Sequence, residues 1–167
     1  GRQAYRGHQP GGGYIVDMPI GRSSVDRRKM AVIPENAGGR PSTSLVRSVA
    51  EERETSLLEV RPRTGRTHQI RVHLSATHTP VLGDTAYGGP VANRRFAGLA
   101  ARPMLHAYRL AFKHPTSGER LEFEAPLPPD MQRLVQRMKL LEEQDAHTWE
   151  QLLQGKKPIV TPRQIPY

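Results

Sequence analysis

Apolar and polar residues alternate along this chain in short stretches, a pattern that predicts strands separated by turns. The polar run 51–55 joins two of these stretches as an antiparallel hairpin, and the turn at 116–118 joins another pair. The expected strands cover residues 14–18, 30–33, 42–50, 56–61, 104–113 and 120–125.

A helical pattern appears at two places. One helix should begin near Thr67, whose hydroxyl can cap backbone N–H groups, and should bury Ile70 and Leu74, which stand four residues apart. The other should begin at Asp130 and run to about Gln144 with an apolar stripe on one side.

Several strands with few helices predict an α+β fold built on a largely antiparallel or mixed sheet. We expect one domain over residues 1–145 and a tail over residues 146–167. Two glycine turns around Tyr87, between Gly83 and Gly89, predict an ordered loop that packs back on the body.

The charge of the chain favours an anionic partner. The net charge is +9, and residues 1–113 hold 18 Lys and Arg against 8 Asp and Glu. The excess is mostly arginine, with 20 Arg and 5 Lys, and arginine suits bidentate contact with phosphate. RNA or another polyanion is therefore the expected partner.

Other classes of function are disfavoured. No long apolar run or signal-peptide pattern occurs, so no membrane attachment is expected. The absence of cysteine excludes disulfides and thiolate nucleophiles. His68, His73 and His78 are spaced five apart, which turns their side chains away from one another on a helix, so no metal site is expected.

The densest run of chemically useful side chains is Arg63–Leu74, where a strand delivers the chain into a helix. No acidic residue occurs from Val60 to Gly83. Arg71 should lie at the boundary between core and solvent, where a guanidinium can hold an anion in a partly dry site. A helix start with solvated arginines is the alternative interpretation.

Three blocks around this run are more specific: Thr64-Gly65-Arg66-Thr67-His68-Gln69-Ile70-Arg71-Val72-His73-Leu74, Pro80-Val81-Leu82-Gly83-Asp84 and Tyr87-Gly88. They closely resemble the RluA-type family of pseudouridine synthases, and the match runs from about Gly7 to Asp130. The resemblance implies that a uridine is flipped out of RNA, its glycosidic bond is broken, and the base is rotated and rejoined through carbon. It implies no cofactor.

The resemblance also implies roles for residues of this chain. Arg71 would pair with the catalytic aspartate, and Ile70 would be its apolar neighbour in the pocket. The residues expected at the RNA are Arg61, Arg63, Arg66, Thr67, His68 and Gln69. Within that set, His68 and Gln69 are expected mainly to brace the loop by hydrogen bonds. Asp84 and His106 are interpreted as structural.

The family's Arg-Leu-Asp-x-x-Thr-Ser-Gly sequence does not occur in these 167 residues. The family's blocks for the aspartate and for a base-stacking tyrosine would lie upstream of about Gly7, and the tyrosine position would fall near Gly1. Asp17, Asp26 and Asp84 stand in other sequence contexts. We therefore expect the C-terminal part of a catalytic domain, and a non-catalytic RNA-binding pseudoenzyme or a truncated remnant is the alternative.

The expected partner is ribosomal or transfer RNA. The chain is expected to be a monomer in the cytoplasm, with an organelle left open as the compartment.

Overall fold

The computed structural model describes residues 13–52, 55–88, 96 and 98–137. Its strands are β1 (Gly13–Asp17), β2 (Ile20–Arg22), β3 (Met30–Val32), β4 (Thr43–Glu52), β5 (Thr55–Pro62), β6 (Arg109–Lys113) and β7 (Arg120–Glu124). Its helices are α1 (Gln69–Ala76) and α2 (Pro129–Arg137), with a 3-10 turn at Glu35–Ala37.

Some predictions concern residues that the structure does not describe. The part of the second expected helix beyond residue 137 and the tail expected over residues 146–167 lie outside the described residues.

All pairings between the described strands are antiparallel, which confirms the α+β interpretation. One sheet has the order β1-β4-β5, and β2–β3 and β6–β7 form two-stranded sheets. Strands β4 and β5 form the expected hairpin, with an irregular register between Ser48 and Ala50. The strand expected over residues 104–113 begins only at Arg109. Upstream of it, Met104 N donates to Leu82 O, so that segment follows the loop after α1 and not a strand partner.

The core lies between the three-stranded sheet and α1. Tyr14 and Val16 alternate inward along β1, as the sequence pattern predicts, and pack with Val46 of β4 and Leu74 of α1. Burying an aliphatic side chain of this size stabilises a fold by about 1.5–3 kcal/mol. This contact holds α1 against the sheet and thereby fixes the start of the helix.

The inward face of β4 is unexpectedly polar. Ser42, Ser44 and Ser48 are buried there beside Val46, while Leu45 on the opposite face is only half-buried. Buried hydroxyls need hydrogen-bond partners, and Ser44 finds its partners on α1. Ser44 therefore ties the helix to the sheet by polar contacts in addition to the apolar ones.

The chain divides into two compact units, Gly1–Met104 and Leu105–Tyr167. In the second unit, Phe112 and Phe123 stack across the β6–β7 hairpin with ring centroids 5.9 Å apart. The domain expected over residues 1–145 and the tail over 146–167 remain predictions. Among the residues that the structure describes, no helix is long and apolar enough to cross a membrane.

Candidate active site

Helix α1 begins with an unusual residue. His68 is the N-cap residue, its backbone is left-handed (φ 55°, ψ 21°), and its side chain makes no capping hydrogen bond. Thr67 is exposed. The prediction that Thr67 caps the helix is therefore wrong, because the helix starts one residue later and the Gln69 side chain takes over the bonding in the preceding turn.

The buried amide of Gln69 holds the turn before α1 in place. Its Oε1 accepts hydrogen bonds from Thr64 Oγ1 (2.7 Å) and Arg66 N (3.0 Å). Its Nε2 donates to Thr43 O (2.9 Å) and Ser44 Oγ (3.0 Å). These four bonds use the amide's full capacity. The bracing role expected for Gln69 is confirmed. Because its side chain is only 4% exposed, we leave it out of the RNA surface proposed below.

His73 extends this network into the core. Its Nδ1 lies 2.9 Å from Ser44 Oγ and its Nε2 lies 2.9 Å from Met18 O. The carbonyl of Met18 requires a proton on Nε2. Burial lowers the pKa of His73 and so favours the neutral ring. In a neutral ring with its proton on Nε2, Nδ1 accepts a hydrogen bond from the Ser44 hydroxyl.

Arg71 projects from α1 to the edge of the core, where its side chain is 20% exposed, as the sequence predicts. Its Nε lies 2.7 Å from Asp84 Oδ2 and its Nη2 lies 2.9 Å from Asp84 Oδ1. Its guanidinium carbon also lies 4.8 Å from the centroid of the Tyr87 ring, within cation–π range. The hydrogen bonds to Asp84 raise the pKa of Arg71, although burial opposes this. The guanidinium is thus held from two sides in one orientation.

Asp84 is fully buried, which agrees with its interpretation as a structural residue. Besides the two bonds from Arg71, its Oδ1 accepts from the backbone N–H groups of Ala86 (2.9 Å) and Tyr87 (3.0 Å). Burial alone would raise the pKa of Asp84, but these hydrogen bonds outweigh it and hold the pKa below its ordinary value. A carboxylate so enclosed has no face open to a nucleotide.

The chain reaches this position through a tight turn at Gly83. Its φ is +77°, and a Cβ there would lie 2.1 Å from Arg102 O. Only glycine fits such a position without strain. The loop therefore enters Asp84 along a path that the sequence specifies.

Tyr87 closes the site. Its hydroxyl accepts from Met30 N (2.9 Å) and lies 2.9 Å from Nδ1 of His68, and its carbonyl accepts from Ser75 Oγ (2.8 Å). These contacts confirm that the loop packs back on the body and that His68 braces it. Sequence patterns do not predict that Tyr87 covers Arg71, since the two side chains belong to different elements and no periodicity relates them.

The remaining arginines of the run have different surroundings. Arg61 is exposed and bonded to Glu59, which also binds Arg47. Burial would raise the pKa of Glu59, but its bonds with these two arginines lower it. Arg66 Nε donates to Pro41 O (3.1 Å), and Arg63 is exposed.

Ile70, the residue next to Arg71, is half-buried and packs against the core. The structure thus brings the predicted residues to one strand-to-helix junction. Their roles at RNA stay predictions.

Comparison with known proteins shows what this chain is similar to. The sequence profile described as RNA pseudouridylate synthase matches residues 14–76. The chain is 43% identical over 132 residues to ribosomal large subunit pseudouridine synthase D of Vibrio parahaemolyticus. It is 45% identical over 123 residues to an uncharacterized RNA pseudouridine synthase of Chloroflexus aurantiacus. These matches confirm the resemblance of the chain to the RluA-type pseudouridine synthases.

The fold agrees with this similarity in sequence. Human RNA Pseudouridylate Synthase Domain Containing 1 matches with a TM-score of 0.59 and 29% identity over 80% of this chain and 62% of its own. The match to the Vibrio protein covers 74% of this chain and 40% of that protein. The match to the Chloroflexus protein covers 74% of this chain and 37% of that protein. The chain thus spans about two fifths of the length of these relatives.

Proposed function

We propose that this chain supplies the arginine side of the active site of an RNA pseudouridine synthase, which isomerises uridine to pseudouridine in ribosomal or transfer RNA. The observation that carries the proposal is the fixed guanidinium of Arg71 at the boundary of the core. The names of the relatives support an RNA substrate, since the Vibrio protein is a ribosomal large subunit pseudouridine synthase.

Arg71 has donors left for a second carboxylate. The two bonds to Asp84 use Nε–H and one N–H of Nη2. Within the described part of the chain, Nη1 has no hydrogen-bond partner, and the side chain still reaches solvent. A guanidinium carries five N–H donors. Arg71 would therefore hold the catalytic aspartate with the remaining donors while Asp84 fixes its orientation.

This arrangement explains what the arginine contributes. A carboxylate in a partly dry pocket stays ionised only when a charged partner offsets its desolvation. Asp84 keeps Arg71 from turning away before the second carboxylate arrives. The exposed residues Arg61, Arg63 and Thr67 and the half-buried Arg66 lie on the same junction and would contact the RNA backbone.

The test starts from the reading frame upstream of Gly1. We expect it to encode an Arg-Leu-Asp segment, and the protein that includes this segment to form pseudouridine in ribosomal or transfer RNA transcripts, measured by mass spectrometry of nuclease digests. If that protein contains the segment, folds, and leaves every uridine unchanged, the proposal fails.

The second candidate function is RNA binding without catalysis. The run from Val60 to Gly83, which holds four arginines and no acidic residue, favours it. It predicts that the upstream frame lacks the segment, and that the chain binds structured RNA with steep salt dependence while forming no pseudouridine at any protein concentration.

A further inference from the structure

A second basic surface lies in the first unit, on the loop that connects β2 to β3. Four cations, Arg22, Arg27, Arg28 and Lys29, stand here against one carboxylate, Asp26. None of these cations belongs to the strand-to-helix junction around Arg71. The loop therefore needs an explanation of its own.

Hydrogen bonds hold the loop in one conformation. Ser23 Oγ accepts from the backbone N–H groups of Val25 and Asp26, both at 3.2 Å. Ser23 N donates to Lys29 O (3.0 Å), and Lys29 N donates to Asp26 O (2.9 Å). Val25 is 96% exposed, so the loop projects into solvent. A preformed loop loses little conformational entropy when it binds a partner.

The charges of the loop are divided unequally. Asp26 binds the backbone N–H and the side chain of Arg28, and so offsets that cation. Arg22 Nη1 donates to the carbonyl oxygen of Arg27 (3.1 Å). Within the residues that the structure describes, no carboxylate pairs with either Arg22 or Arg27. These two guanidinium groups thus keep their charge available to an anion.

Arg22 and Arg27 line a shallow cleft together with Ser23 and Ser24. Two guanidinium groups and a serine hydroxyl are the donors that recognise a phosphate oxygen in protein–RNA contacts. An acidic peptide is a weaker fit, because the four residues that line the cleft are all polar or charged and none is an apolar residue that could pack against a peptide side chain.

The loop is fastened directly to the Arg71 site. Lys29 Nζ donates to Ala86 O (2.8 Å), and Met30 N donates to the hydroxyl of Tyr87 (2.9 Å), the residue that covers Arg71. The basic loop and the Arg71 site therefore keep a fixed relation within one unit. An RNA whose uridine enters the site would pass its flanking strand over a rigid second contact.

We propose that Arg22 and Arg27, with Ser23 and Ser24, bind a backbone phosphate of the RNA outside the Arg71 site. This inference rests on the RNA substrate of the proposed function. The site contributes affinity and register and takes no part in the isomerisation.

The test compares R22Q/R27Q with wild type in binding a labelled stem-loop transcript of ribosomal RNA at several salt concentrations. The logarithm of the binding constant falls linearly with the logarithm of the salt concentration. Losing one phosphate contact should make this negative slope shallower by about 0.7–0.9. The matched control is R120Q/R133Q, which removes two exposed arginines from the second unit and should keep the wild-type slope. Thermal melts followed by circular dichroism show that each variant is folded.

Equal slopes for R22Q/R27Q and wild type would overturn this site alone, as would an equal loss in R120Q/R133Q, which would reflect total charge. Failure of the wild-type chain to bind RNA would overturn the proposed function together with this site. Should the double variant melt early, R27Q alone serves, because the Arg27 side chain makes no hydrogen bond within the described residues. R27Q should then show a shallower dependence of the binding constant on salt than wild type, and an unchanged slope would overturn the site.

Discussion

Arg71 and Asp84 are 13 positions apart and yet form one structural unit at the residue scale. Helical periodicity predicts where Arg71 lies, because its position relative to Ile70 and Leu74 fixes its angle to the buried face. It says nothing of Asp84, which reaches Arg71 through a glycine turn outside any regular element. The carboxylate partner expected for Arg71 from the family resemblance is the catalytic aspartate. The structure adds a second carboxylate, Asp84, from this chain itself.

Replacing Asp84 tests whether this pair holds the fold. D84N leaves Arg71 without its charged partner, and breaking a buried pair costs about 3–5 kcal/mol. Because Arg71 is partly exposed, we expect a loss of about 2–3 kcal/mol in the free energy of unfolding, measured by urea denaturation. D26N, which removes the exposed partner of Arg28, should leave the midpoint unchanged. A wild-type midpoint for D84N would contradict the account.

The same carboxylate sets an acid limit. Asp84 has its pKa lowered in the folded state, so its stabilisation is complete above about pH 4 and is lost as the pH falls through the folded-state pKa. D84N should therefore lose less stability than wild type in that acidic range.

His73 provides a separate dependence on pH. Its pKa is lowered by burial, so below about pH 6.5 the unfolded chain binds a proton that the folded chain does not. The free energy of unfolding should fall as the pH drops from about 7 to 5, by at most about 1.4 kcal/mol per pH unit from this group. H73Q should be less stable at neutral pH and lose this part of the slope. An unchanged slope in H73Q would show that His73 does not cause it.

At the scale of elements, β1 and β4 could be predicted because the alternation in their sequences survives as alternating burial in the sheet. The residue at which α1 starts could not be predicted from the sequence. Thr67 has the residue type of a cap, but the left-handed backbone of His68 moves the helix start by one residue. The serine face of β4 could not be foreseen either, since Ser44 is inward only because Gln69 and His73 meet it there.

The network around Gln69 makes a sharp prediction about this element. Q69L removes four hydrogen bonds and leaves buried donors and acceptors without partners, which costs about 1–3 kcal/mol for each unpaired group. We expect a loss of about 3 kcal/mol despite the added apolar surface, measured by urea denaturation. T67A is the matched control and should stay within about 0.5 kcal/mol of wild type. A larger loss in T67A than in Q69L would restore Thr67 as the cap.

For the molecule as a whole, composition indicated the class of partner and family resemblance indicated the chemistry. Of the 18 Lys and Arg in residues 1–113, 16 lie in residues 1–104, the unit that carries both Arg71 and the β2–β3 loop. Composition alone could not distinguish the two surfaces, because only the structure shows which arginines are paired with carboxylates.

The most direct test of the central claim measures pseudouridine formation by R71K in the protein that includes the upstream Arg-Leu-Asp segment. Lysine keeps the charge but cannot bind Asp84 bidentately and also hold a second carboxylate. We predict a turnover at least about a hundredfold below wild type with RNA affinity nearly unchanged, and an R120K control close to wild type. Turnover by R71K within a factor of about three of wild type would contradict the role assigned to Arg71.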